Sequence, residues 1–167
     1  FLPPKTAWEV SASTQVPKIW GTAQAFWGAD GDIDTAWTVD ATRKEGGVGD
    51  SLMLAFKAAV PVGLVRLVPG CARDAKAWDD NDRVRSIRVE LGSGMRFELD
   101  RAQLDKLPPQ VAAAGEFPIG EGPAKQVLIL LRDRENVPWL RLTITGVEKS
   151  TTRSKIREVC VAEVSVH

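Results

Sequence analysis

Short runs in which apolar and polar side chains alternate recur along this chain, and a period of two marks strands with one buried face. Leu52, Leu54 and Phe56 alternate with Ser51, Met53 and Lys57, and Ile87, Val89 and Leu91 with Ser86, Arg88 and Glu90. Leu140, Leu142 and Ile144 alternate with Arg141, Thr143 and Thr145. Residues 62–68 and 127–131 are almost continuously apolar, the pattern of strands covered on both faces. Gly92-Ser93-Gly94 predicts a tight turn into a strand carrying Met95, Phe97 and Leu99. Weaker strands are expected near 9–13 and 36–39, and a last strand over 159–166. About eight strands separated by turn residues predict an all-β jelly-roll sandwich of two sheets.

Helical signals are few. Residues 100–107 predict one short turn, capped by Asp100 and stopped by Pro108-Pro109. Residues 109–122, rich in Ala, Gly and Pro, read as a long loop. Gly46-Gly47-Val48-Gly49 lacks the Lys-Ser/Thr pair that completes a phosphate-binding loop and precedes a strand, so it reads as a turn. A chain of 167 residues fits one domain. Phe1-Leu2-Pro3-Pro4 reads as the tail of a linker, because consecutive prolines favour extended backbone. Residues 1–7 are therefore expected to be linker, and residues 8–167 a domain at the C-terminus of a larger parent chain.

Composition narrows the range of functions. Twenty-two basic residues balance 22 acidic ones, which gives no general pull toward nucleic acid or anionic lipid. No apolar run approaches the roughly 20 residues of a membrane-spanning helix, so no direct membrane insertion is expected. The single histidine, His167, is the last residue, which speaks against His-based acid–base catalysis and His-rich metal sites. Cys71 and Cys160 are too few and too widely spaced for a zinc motif. Two readings of them stand: a disulfide formed in an oxidising compartment, or two buried free thiols.

The candidate chemistry concentrates in residues 29–38. Asp30, Asp32 and Asp34 alternate with small or flexible residues just ahead of Thr35-Ala36-Trp37. Such a loop can curl oxygens around a hard cation such as calcium, although it lacks the closing glutamate of an EF-hand. It can equally be an Asx-rich turn that caps its own backbone. On the last predicted strand, Glu163 shares a face with Val159 and Val161. A carboxylate there needs a partner, because burial without one is costly. A cation held by the Asp-rich loop, an arginine, or backbone donors of that loop would each serve.

Taken in order, several segments resemble a known family. They are Val10-Ser11-Ala12-Ser13, Asp30-Gly31-Asp32 through Thr35-Ala36-Trp37, and Gly46-Gly47-Val48-Gly49-Asp50. Gly70-Cys71 follows, then Trp78, Asn81 and Arg83-Val84-Arg85-Ser86-Ile87, and finally Cys160-Val161-Ala162-Glu163-Val164. The series resembles the discoidin-like and galactose-binding-like domains, relatives of the coagulation-factor type C modules and of carbohydrate-binding modules. In particular it resembles the branch found as the translocation or glycan-binding domain of secreted bacterial NAD glycohydrolases. The resemblance implies a galactose-binding-like β-sandwich with no catalytic centre and with ligand loops at one end. It also implies a structural Ca2+ held by Asp30, Asp32, Thr35 and Glu163, or a hydrogen-bonded lock formed by the same residues.

Sugar recognition favours exposed aromatic rings flanked by polar groups. Among six Trp, Trp37 is expected in the core, and Trp8 and Trp139 at strand starts. Trp20, Trp27 and Trp78, together with Arg153 of the polar loop 150–155, are the candidate ligand-binding residues, each ring having packing beneath its own loop as the competing role. Asn81 and Arg83 read as structural, and Asp79, Asp80 and Asp82 as partners of Arg73, Arg83 and Arg85. The leading expectation is a non-catalytic module outside the cytoplasm that recognises a glycan or another cell-envelope component. The alternative is a structural domain that docks its parent chain onto an envelope protein. A carbohydrate-active enzyme ranks third, because it needs two facing acids in a cleft.

Overall fold

Two strands much longer than the alternation implies organise the molecule. The computed structural model describes residues 8–13, 25–42, 45–152 and 158–167; the expected linker 1–7 lies outside them. The described strands are β1 (Trp8–Ala12), β2 (Trp37–Asp40), β3 (Ser51–Val68), β4 (Asp82–Leu91), β5 (Arg96–Asp100), β6 (Val111–Pro118), β7 (Lys125–Glu148), β8 (Glu158–Val161) and β9 (Glu163–Val166). One helix, α1 (Ala75–Asp80), lies between β3 and β4. The hydrogen-bonded path runs β1-β3-β7-β4-β8-β2, with β5 on β4, β6 on β7 and β9 on β3. Among the described residues no helix is long and apolar enough to cross a membrane.

The runs expected at 51–57 and 62–68 are one continuous strand, and 127–131 and 140–144 are another. Leu52, Leu54 and Phe56 face inward as the alternation requires, while Lys57, Ala58 and Ala59 are exposed. The ladder between β3 and β7 shifts register between Ala55 and Val60 and again between Val62 and Leu64. Bulges of this kind bend a strand and increase its twist. Pro61, which cannot donate to a ladder, sits between the two shifts. The sheet thereby curls over itself. Leu52, Leu54, Val89 and Leu142 share one core cluster with Val65, Leu67, Val127, Ile129 and Val164.

Three further expectations are corrected. Residues 109–122 are not a loop throughout, because β6 pairs with residues 125–131 of β7. Its Ala- and Gly-rich sequence has low strand propensity, and the neighbouring ladder decides its conformation instead. Residues 100–107 hold only a three-residue 3-10 turn, Arg101–Gln103, although Asp100 does cap it by accepting from Ala102 N. The last strand breaks at Ala162, whose N–H donates to Val68 O at 3.0 Å. The expected turn at 92–94 joins β4 to β5, with Gly94 at φ +100°, a conformation that side chains disfavour.

The charged segment after β3 contains α1, which no helical signal in the sequence announces. Six residues are too few for a helical period to show. Asp74 caps it by accepting from Ala77 N at 2.7 Å, and Asn81 Nδ2 donates to Ala77 O at its end. The helix buries Trp78 in a second, smaller cluster with Val68, Ala72, Ala124 and Ala162, against which Ile33, Ala36 and Ile119 pack.

A β-carbon at Gly70 would stand 2.6 Å from Trp78 Cζ3 and 2.8 Å from Cε3. Gly70→Ala must displace that ring. It is expected to cost about 1–3 kcal/mol, as overpacking does, which is a Tm loss of roughly 2–12 °C by calorimetry for a chain of this size. An unchanged Tm would show that Trp78 is not held against this backbone.

Candidate functional site

Glu163 begins β9 and is 1% exposed. Its Oε2 accepts a hydrogen bond from Gly31 N at 3.0 Å, across 132 positions of sequence. The aspartate-rich loop and the acid of the last strand therefore meet at one junction. Gly31, at φ +83°, has the backbone that turns this N–H toward the carboxylate. Asp30 shapes the loop from within, because its Oδ1 accepts from Asp32 N at 2.9 Å and its Oδ2 from Thr35 Oγ1 at 2.9 Å. Thr35 Oγ1 also lies 2.9 Å from Asp32 O, while Asp32 Oδ1 caps Asp34 N at 3.0 Å. The loop is a self-capping Asx turn, the second of the two sequence readings.

Glu163 meets the loop at Gly31 N, while Asp30, Thr35 and the Asp32 carbonyl are bonded to one another within the loop. The carboxylates of Asp30, Asp32 and Glu163 do not form a tight trio. Among the described residues the group of Asp, Glu, Cys or His ligand atoms within 4.8 Å of one another is Cys71, Glu158 and Cys160.

Beside the junction the loop forms one wall of a cavity of about 110 Å³, lined by residues that include Thr35, Thr38, Arg73, Asn81 and Glu158. The second wall is covalent: Cys71 and Cys160 form a disulfide with their Cα atoms 5.1 Å apart. This settles the pair in favour of the bridge. The third wall is the start of α1. Thr38 is 5% exposed and lines the cavity, and its Oγ1 has no hydrogen-bond partner among the described residues. A buried hydroxyl without a partner is costly, so a ligand able to bond it has an energetic reason to be here.

The expected aromatic platform is different. Trp78 is 5% exposed, with Gly70 against its ring and the Arg83 guanidinium 5.3 Å from its centroid. It anchors the floor beneath the loop and offers no face for stacking. Trp27 is half-buried in a 3-10 turn, Ala25–Gly28. Trp20 and Arg153 lie outside the described residues. Sequence reasoning missed Thr38 and Glu158, which carry no motif; only the pairing of β2 with β8 places Thr38 opposite Cys160 and Asp40 opposite Glu158. The acids after α1 also pair differently from expectation. Asp82 binds Ser150 N at 2.8 Å and Lys149 Nζ at 3.1 Å, while Arg83 reaches Glu148 and Arg85 reaches Asp100.

Burial, and then the negative charge of Asp40, hold the Glu158 carboxyl above the ordinary glutamate range. A raised carboxyl keeps its proton longer in the folded chain than in the unfolded one. Stability therefore falls as pH rises from the ordinary glutamate value through the folded one. Glu158→Gln is expected to match wild type below that window and to melt at higher temperature at neutral pH. Melting curves across the pH range check this, and parallel curves for the two proteins would contradict it.

The sequence matches the family described as the NAD glycohydrolase translocation F5/8 type C domain over residues 6–167. A search of curated proteins finds no match. Among solved structures, the chain is similar to the family 32 carbohydrate-binding module of NanJ from Clostridium perfringens, determined in complex with galactose, at 14% identity and a TM-score of 0.59, covering 98% of this chain and 95% of that one. A further family 32 module, from a family 31 glycoside hydrolase of the same organism, gives 16% identity and a TM-score of 0.60 over 98% and 92%. An F5/8 type C domain from Bacteroides fragilis gives 15% identity and a TM-score of 0.59 over 99% and 93%. At these identities the likeness is one of fold, the galactose-binding-like β-sandwich. Because the family match spans almost the whole length, the chain belongs to the NAD glycohydrolase translocation F5/8 type C domain family.

Proposed function

We propose that this domain is a non-catalytic glycan-binding module whose sugar site is the cavity between the aspartate-rich loop, the Cys71–Cys160 bridge and the start of α1. The observation that carries this reading is the set of hydrogen-bonding groups converging there, above all the buried Thr38 hydroxyl without a partner among the described residues. Sugar hydroxyls both donate and accept. They suit a wall that offers a hydroxyl at Thr38, a guanidinium at Arg73, an amide at Asn81 and a carboxyl at Glu158. Solved structures of the same fold include one in complex with galactose and one with GalNAc-β-1,3-galactose. The disulfide supports a place outside the cytoplasm, where such bonds persist.

A protein-docking role has one observation of its own. Phe117 and Leu130, each 47% exposed, point to the same face of the β6–β7 pair. Glycan-array screening followed by titration calorimetry separates the two readings. Binding of an envelope glycan is expected, weakened by Arg73→Ala and by Thr38→Val. Removal of the Thr38 hydroxyl should cost about 1 kcal/mol of affinity while leaving the Tm unchanged or higher. No binding to any glycan on the array, or affinities untouched by both substitutions, would overturn the site.

For the loop itself, we propose that a calcium ion is held by Asp30, Thr35, Glu163 and the carbonyl of Asp32. All are hard oxygen donors. The ion would fix the loop against β9; it supplies no chemistry. Calcium added to chelator-treated protein is expected to raise the Tm by several degrees, since a ligand at about 100 times its Kd adds roughly 2.7 kcal/mol. Glu163→Gln, which keeps an oxygen for Gly31 N but loses the charge, should abolish the increase. Identical melting with and without calcium would leave the hydrogen-bonded lock as the whole account.

A further inference from the structure

The Cys71–Cys160 bridge has a third ligand atom beside it. Both sulfurs and a carboxylate oxygen of Glu158 lie within 4.8 Å of one another. The two cysteines are 89 positions apart in sequence, so no spacing motif announces the group. Glu158 and Cys160 are two residues apart on β8 and therefore project to the same face. That strand is held on both sides, by β2 through Thr38 and Asp40 and by β4 through Asp82 and Arg83. Asn81 Oδ1 also accepts from Glu158 N at 3.3 Å. Cys71 enters from the segment between β3 and α1, is partly exposed, and lines the cavity, so a small thiol can reach the bridge from solvent.

We propose that, once reduced, this corner is a binding site for a single zinc ion, with the Cys71 and Cys160 thiolates and the Glu158 carboxylate as protein ligands. Two external thiols supply the two electrons that break the S–S bond, leaving two cysteine thiols and one external disulfide. Zinc then displaces the two thiol protons, which pass to solvent. Zinc takes four ligands in a tetrahedron, at about 2.3 Å for sulfur and about 2.0–2.2 Å for a carboxylate oxygen. Ligand atoms around it then stand roughly 3.5–3.8 Å from one another. Reduction frees both sulfurs, and the Glu158 carboxylate oxygen already lies within 4.8 Å of each. The fourth position opens to the cavity, where a water completes the shell. Thiolate ligands select a borderline-soft ion, so this site and the oxygen-lined calcium loop do not compete for one metal. The site shares Cys71 and Glu158 with the wall of the proposed sugar cavity, but its test reads metal binding alone.

The test uses the whole chain, reduced with a phosphine under anaerobic conditions and freed of reductant. Cobalt(II) serves as the probe and zinc as its competitor. One equivalent of cobalt is expected to give sulfur-to-metal charge-transfer bands and the intense visible bands of a tetrahedral centre, and zinc should erase both. Zinc should also protect both thiols from alkylation. The oxidised chain and Cys160→Ser should give no such spectrum, and Glu158→Gln should bind zinc roughly tenfold or more weakly. Thiols that alkylate at the same rate in excess zinc would overturn the proposal. So would an unchanged affinity in Glu158→Gln, or a reduced chain that loses its circular-dichroism signature and does not recover it with zinc.

Discussion

A carboxylate taken almost entirely out of water must be met by donors, and Glu163 at the head of β9 is such a carboxylate. The Gly31 N–H that meets it lies on the loop ahead of β2, at the opposite end of the chain. Since β9 pairs with β3 and β2 with β8, one hydrogen bond ties together elements that belong to different edges of the sheet path. A charge-assisted bond of this kind contributes about 1.5–3 kcal/mol. Its larger effect is positional, because it decides where the aspartate-rich loop rests and so where the cavity has a wall.

The other walls are fixed by different forces. The Trp78 cluster holds the loop from beneath through Ile33 and Ala36, and holds α1 from the other side. The disulfide joins the segment between β3 and α1 to β8. Asp82, fully buried at the start of β4, draws in residues 149 and 150 through Ser150 N and Lys149 Nζ. A packed ring, a covalent bond and two buried carboxylates thus converge on one end of the sandwich. The polar groups between them stay aimed at the cavity, because rigid strands and not a free loop carry Thr38 and Glu158.

Elsewhere charge is mostly spent along the sheet surface. Arg88 faces Glu98 across β4 and β5, and Arg141 faces Glu90 across β7 and β4. Such exposed pairs add little stability. Arg101 is the exception in burial: its side chain is 10% exposed and bridges Glu116, Glu148 and the carbonyl of Val84. It ties the turn after β5 to β4, β6 and β7, and its pair with Glu116 anchors one position of the weakly strand-forming β6.

The sequence by itself determined the strand character of this chain. Period-two alternation reports which face of each strand is buried, and it is a local property. That Glu163 needs a partner, and that the loop of spaced aspartates can offer one, was legible too, because both show without coordinates; that the Gly31 N–H meets it was not. Only the tertiary structure decided that four expected strands are two, since register shifts around Pro61 are set by the opposing strand. It alone decided between the two roles open to Trp78, ligand ring or packing beneath its loop, in favour of packing, because a six-residue helix leaves no period in sequence. It alone placed Thr38, Cys71, Glu158 and Cys160 together. Those residues come from β2, the β3–α1 segment and β8, and long-range pairing between strands is a property of the whole sheet that no local pattern encodes.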